Sequence, residues 1–254
     1  PSSADPVGSF VEAAASLDEQ RVDAILDDLF AGGSFERVVD DRLMPALRAL
    51  GEAWASGLVS VAGEHAASHA VLRRLSASFE AAGRATHDSP VIVGMPPGSR
   101  HEIGALAFAT AVRRKGIPVV YLGADIPLDS WTEAVGRTRA RAVVVGIATV
   151  VDRAPARSVV EAVRRVHPDV VVAVGGNGAS GARIAGSGAA GARIAGSGAA
   201  GARIAGSGAA GRSGAAGRSG ASGRSGAAGS VVRLPDGIGA AAQALEDALA
   251  RPLA

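Results

Sequence analysis

Cysteine is absent from all 254 residues. That excludes a disulfide framework, a thiolate-held metal and a cysteine nucleophile. Aromatic residues are scarce, with two Trp, one Tyr and five Phe in the whole chain. Hydrophobic residues make up 48% of the sequence, yet no apolar run approaches the roughly 20 residues of a membrane span. Nothing near the start reads as a signal peptide. A phosphate-cradling glycine loop with its lysine and an activated serine are both missing, which argues against a kinase or a hydrolase. A soluble cytoplasmic protein with no membrane partner is expected. The chain opens on Pro1 and PSSADPVGS reads as a linker, so a further segment upstream is also expected.

Acid is missing from one long stretch. Between Gly178 and Ser230 there are six arginines (Arg183, Arg193, Arg203, Arg212, Arg218, Arg224) and no Asp or Glu. Without them the formal net charge falls from +2 to −4. The basic pI of 9.9 therefore belongs to that stretch, and the remainder offers no phosphate-binding face. The stretch is low-complexity: GARIAGSGAA occurs three times in succession, then GRSG-type units, with about half of the chain's 35 glycines. One Ile per unit is too little for a solenoid core. Glycine costs about 1 kcal/mol per helical position, which disfavours a long helix. A tandem expansion of the connection between the last two strands, without a site of its own, is expected.

The first 86 residues read as four helices. Ser16-Leu17-Asp18-Glu19 has the spacing of a capping box ahead of Val22, Ile25, Leu26 and Leu29. Gly32-Gly33 ends that helix, and Ser34 opens a long one through Val38, Leu43, Leu47, Leu50 and Trp54. Pro45 inside it predicts a kink near Asp41 or Arg42. Another helix runs from about Ser60 to Ala82. Short turns between helices make neighbours antiparallel, hence a bundle.

After Ser89-Pro90 the period changes. Runs at Val91–Val93, Val119–Leu122, Val143–Ile147, Val170–Val174 and Val231–Leu234 alternate with helical stretches Glu102–Lys115, Leu128–Arg139 and Ala154–Val166, and a final helix starts at Ile238. Apolar strands separated by helices predict a parallel sheet buried on both faces. The expected fold class is therefore α/β, with an N-terminal four-helix bundle (1–86) before a flavodoxin-like, Rossmann-type five-stranded domain (90–254) carrying the low-complexity insertion at 178–230. Ligands of such sheets bind beyond the strands' carboxyl ends.

One of those ends carries Met95-Pro96-Pro97-Gly98-Ser99-Arg100-His101-Glu102-Ile103-Gly104. Ser99-x-His101-x-x-Gly104 resembles the Asp-x-His-x-x-Gly signature of cobalamin-binding domains. The resemblance makes His101 the lower axial ligand of cobalt, with Ser99, Glu102 and Gly104 around the cofactor. Gly104 is expected to let its helix approach closely. Tyr121-Leu122-Gly123 after the second strand, Thr149 after the third and Gly175-Gly176 after the fourth complete the resemblance, the glycines letting the nucleotide tail pass. In the helical part, Trp54, nine residues, then Glu64-His65 is similar to the cap of CarH-type photoreceptors, light-responsive regulators of the MerR class. There the Trp and the Glu-His pair enclose the adenosyl group of adenosylcobalamin. An indole packs flat on such a group, and a carboxylate accepts hydrogen bonds from ribose hydroxyls. His65 and His69 also have a spacing that can hold zinc, but no third ligand is evident.

Three residues depart from the family pattern. Ser99 stands in place of the acidic residue that orients the ligand histidine, Ala148 in place of a serine beside the nucleotide tail, and Ala55 where a second histidine follows the Trp. The resemblance implies a non-enzymatic, light- or cofactor-responsive sensor that self-associates and meets DNA only through an upstream segment. Two other readings remain: a corrinoid carrier of a methyltransferase, or a cofactor-free protein-interaction domain.

Overall fold

A computed structural model describes residues 5–83, 89–180 and 231–251; the low-complexity repeat lies outside them. Helix α1 (Pro6–Ala15) starts at Asp5, whose carboxylate accepts from Val7 N, with Pro at the first helical position where its missing N–H costs nothing. Helix α2 (Glu19–Phe30) is capped by Asp18, which accepts from Arg21 N at 3.0 Å. The capping box expected at Ser16 is thus displaced. The Ser16 hydroxyl instead donates back to the carbonyls of Glu12 and Ala13, so it closes α1 and leaves the capping role to Asp18.

The long helix predicted from Ser34 is bent where Pro45 requires. It runs as α3 (Phe35–Val38), a π-helical turn (Val39–Leu43) and α4 (Met44–Ala55). Pro45 has no N–H to give to the carbonyl four residues back, and the ladder widens just before it, with Met44 N bonding to Val39 O. Helix α5 (Val61–Ala81) is capped by Ser60 and buries Gly63, Ala67 and Ala70. These small residues let α5 cross α1 closely: a Cβ on Gly63 would collide with the Ala14 carbonyl.

Five strands follow: β1 (Val91–Gly94), β2 (Val119–Gly123), β3 (Ala142–Gly146), β4 (Val171–Gly175) and β5 (Val232–Arg233). All neighbours are parallel, in the order β2-β1-β3-β4-β5. This is the flavodoxin-like order, whose switch point lies between β1 and β3. Four of the strands end on glycine. Helices α6 (Ile103–Arg114) and α9 (Ile238–Ala250) cover one face, and α7 (Leu128–Thr138) and α8 (Arg153–Val166) the other. Trp131, fully buried, anchors the second face and donates its indole N–H to Ile126 O.

The helical part shares one core with the α6/α9 face, where Phe10, Leu43, Leu50 and Leu75 join Leu106, Val112 and Leu245. Polar contacts fix the same junction. The Asp40 carboxylate accepts from Ile238 N at 2.6 Å and Gly239 N at 3.1 Å. Glu36 pairs with Arg114 at 3.1 Å, and Lys115 with Glu246 at 2.8 Å. Among the described residues no helix is long and apolar enough to cross a membrane.

Candidate functional site

The sheet's carboxyl edge gathers the loops the sequence singled out. After β1 the chain passes Met95, buried against Gly146, and turns at Gly98 (φ +81°). It then reaches Ser99, buried at 1% exposure. The Ser99 hydroxyl is completely enclosed and has no hydrogen-bond partner. His101, two residues on, is exposed in the loop ahead of α6.

The next strand supports this loop from the side. Tyr121 OH donates to the Glu102 carboxylate at 2.8 Å. Burial, with the hydrogen bond and charge of Glu102, holds the phenol neutral, its pKa far above the usual tyrosine value. At the end of β2, Gly123 (φ +84°) bends away and its carbonyl accepts from Met95 N. Leu122 is half-buried among the residues packed on the α7/α8 face. Gly104 corrects the expectation placed on it: no atom lies within 4 Å of a Cβ built there, so close helix packing does not explain this glycine.

At the other side of the switch point, Thr149 and Asp152 form a reciprocal cap. Thr149 N and Oγ1 both donate to Asp152 Oδ2, at 2.7 and 3.0 Å. The Thr149 hydroxyl is therefore engaged within its own turn. Gly175 and Gly176 have protein contacts that require them. A Cβ on Gly175 would meet Leu234, and one on Gly176 (φ +105°) would sit 2.6 Å from Ile147 O. The β3 and β4 exits thus close on each other backbone to backbone.

The upper residues come from the helical part. Arg113, in the last turn of α6, lies 4.5 Å from the Phe79 ring centroid and reaches the Gly83 carbonyl just past α5. The two helices pack side by side, and α5, at 21 residues, is much longer than α6, at 12. Phe79 also approaches Tyr121, with ring centroids 6.2 Å apart. Glu64 and His65 lie in the first turns of α5, and Trp54 lies across a tight turn near the end of α4. Glu64 accepts from Ser68 Oγ at 2.7 Å and lies 2.9 Å from His65 Nδ1, so both its oxygens are held. Ser68 was not foreseen from the sequence, although its i+4 spacing from Glu64 was available as a signal.

Exposed large apolar side chains mark the same region. Trp54 (50% exposed), Leu58 and Val61 stand at the α4–α5 corner, and Leu128, Val150 and Val151 (76%) at the exits of β2 and β3. Exposed apolar side chains thus occur both at the α4–α5 corner and on the sheet loops. Among the described residues, an imidazole without a hydrogen-bond partner, a buried unpartnered hydroxyl two residues before it, open space at Gly104 and exposed apolar side chains fit a large, mostly apolar ring with a metal at its centre.

The sequence matches a family model described as B12 binding domain over residues 8–77, and a second of the same description over residues 89–202. It is 34% identical over 145 residues to the HTH-type transcriptional repressor CarH of Myxococcus xanthus, covering 57% of this chain and 48% of that protein. It is 33% identical over 172 residues to the repressor CarA of the same organism, covering 67% and 57%. The chain thus spans about half the length of the curated relatives it matches. The monomethylamine corrinoid protein of Methanosarcina barkeri superposes with a TM-score of 0.56 at 14% identity, covering 66% of this chain and 82% of that one. That likeness speaks for the fold alone.

Proposed function

Since the chain belongs to the B12-binding proteins of the CarH type, we propose that it is the sensor part of a transcriptional regulator, taking adenosylcobalamin between the start of α5 and the sheet edge. Cobalamin binding itself follows from the two matched domains. The observation that supports the finer reading is the α4–α5 corner, where Trp54 is exposed and Glu64 and His65 pair with each other.

In this reading His101 would hold cobalt through a nitrogen that no described residue occupies. Ser99, Glu102, Gly104, Tyr121, Leu122 and Gly123 line the near side. Thr149, Gly175 and Gly176 line the exit toward the nucleotide tail. Trp54 would pack against the adenosyl group, and Glu64, its carboxylate fixed by Ser68 and His65, would accept from the ribose. When bound, the cofactor supplies a cobalt–carbon bond that light can break. The residues themselves bind, orient and exclude water, and none acts as an enzyme catalyst.

Without the adenosyl group the contacts between helical part and sheet edge would be fewer, and an equilibrium shifts only through such differential contacts. Self-association is assigned to the dark, cofactor-bound chain, and DNA contact to residues outside these 254. The corrinoid-carrier reading rests on fold likeness alone, and Trp54 with Glu64-His65 speaks against it, since a methyl carrier must open this face to partner enzymes.

The test is the absorption spectrum of the chain with adenosylcobalamin in darkness and then under green light, with size-exclusion chromatography before and after. Trp54→Ala is expected to weaken adenosylcobalamin binding more than binding of a cobalamin with a small upper ligand. Equal losses refute the cap. An elution volume that stays fixed after complete photolysis refutes light as the signal.

A further inference from the structure

Nothing on its own neighbours orients the ring of His101. The residue two positions earlier is Ser99, whose hydroxyl is buried and unpartnered, and no described residue hydrogen-bonds the imidazole. The backbone around it is nonetheless firmly held, and the holding comes from β2 and its exit. Asp125 Oδ1 accepts from Gly98 N at 2.6 Å, while Asp125 N donates to Ser99 O at 2.9 Å. This reciprocal pair spans 27 residues of sequence. Asp125 makes it from a left-handed conformation, φ +52°, which Asp and Asn tolerate better than other side chains. On the far side of His101, Tyr121 OH holds the Glu102 carboxylate.

We propose that Asp125 is a positioning residue for the cobalt ligand: its paired hydrogen bonds to Gly98 and Ser99 set the height and direction of His101 at the sheet edge. The proposal rests on the cobalamin reading above. A carboxylate at position 99 would act on the imidazole directly. Asp125 acts one step further out, on the backbone that carries it, where an outer partner can still change ligand strength substantially. Glu102, tied to Tyr121, fixes the other end of the same short arc, so the backbone at His101 is held from both sides.

The experiment uses adenosylcobinamide, which has no nucleotide base, so a histidine-coordinated spectrum must come from the protein. It compares the full chain with His101→Ala, Asp125→Gly, Asp125→Asn and Asp125→Ala, and records thermal unfolding of each without cofactor. Asp125→Gly keeps the left-handed backbone and removes the acceptor. It is expected to bind about tenfold more weakly, with a smaller histidine-coordinated fraction at saturation. Asp125→Asn keeps both backbone and an acceptor oxygen and is expected to restore most of the signal. Asp125→Ala, lacking both, is expected to be weakest. A wild-type chain with no histidine-coordinated spectrum, or an unchanged one in His101→Ala, overturns the cobalamin-ligand reading itself. Wild-type affinity and spectrum in Asp125→Gly overturn this inference and leave that reading standing. Asp125→Asn faring no better than Asp125→Gly likewise overturns it.

Discussion

Asp40→Ala is the substitution that best measures how the helical part is held to the sheet. Helix α9 begins at Gly237, which offers no side-chain cap. The missing acceptor comes from a residue nearly 200 positions earlier: Asp40 takes the N–H groups of Ile238 and Gly239 on its two oxygens. This is a capping interaction supplied in trans across the junction. A lost helix cap costs about 0.5–2 kcal/mol, and a hydrogen bond to a charged acceptor contributes about 1.5–3 kcal/mol. Two such bonds at a half-buried site, discounted for the water that replaces the carboxylate, give about 2–3 kcal/mol for Asp40→Ala. Asp40→Asn keeps one acceptor and loses the charge at the positive helix end, so about 1 kcal/mol is expected. Urea unfolding followed by circular dichroism supplies the measurement. Proteolysis supplies a second readout, because a loosened α9 is expected to be cut first. If Asp40→Ala lies within 0.5 kcal/mol of wild type and α9 stays protected, the latch contributes nothing and the shared core alone joins the two parts.

The Glu36–Arg114 pair gives a pH dependence. Burial alone would raise the Glu36 carboxyl, but its own backbone N–H, the Arg114 hydrogen bond and charge, and Ser34 bring it below its ordinary 4.5. A lowered folded pKa stabilises above the unfolded value and loses that contribution as pH falls through the folded one. The stability gap between wild type and Glu36→Gln, measured by urea titration, is therefore expected to be constant above pH 4.5 and to close below it. Two glycines should respond oppositely in thermal unfolding. Gly63→Ala drives a methyl into the Ala14 carbonyl and is expected to cost about 1–3 kcal/mol; Gly51→Ala, on an exposed stretch of α4 with nothing within 4 Å, is expected to gain about 0.5–1 kcal/mol. Deleting residues 191–229 is expected to leave cobalamin binding unchanged, as read by the adenosylcobalamin spectrum, because Arg153 and Arg233 hold the carbonyls of residues 178, 179 and 180 ahead of the repeat. Loss of binding would show that the repeat is structural.

Periodicity made the sheet legible, since five β-branched runs bounded by Gly and Pro leave little choice of strand, and the helices between them leave little choice of direction. Pro45 located the π turn because a missing N–H is a property of one residue, whatever the tertiary context. The capping of α2 was less legible. Ser16 and Asp18 are both competent caps, and only the position where α1 stops decides between them. Gly104 failed for a related reason: a glycine in a motif signals that a side chain is excluded, and the sequence cannot say whether by protein or by open space. His101, Trp54 and Glu64 were singled out by motif spacing. Asp125 was passed over because its partners are backbone groups 27 residues away, and backbone partners leave no mark in residue type.

The polar and ring contacts that join the two parts fall on few residues. Glu36 and Asp40 lie against Arg114 and the start of α9, and Phe79 against Arg113 and Tyr121. Trp54, Leu58 and Val61 at the α4–α5 corner are apolar and exposed, as are Val150 and Val151 after β3. A ligand that covered exposed apolar side chains of both parts would remove them from water at about 25 cal/mol per Å² of apolar surface. Under the proposed function that free energy would tie the helical part to occupancy of the sheet edge. Val151→Ser and Trp54→Ala are then each expected to weaken adenosylcobalamin binding, as read by spectral titration. Wild-type affinity in both variants would refute the tie.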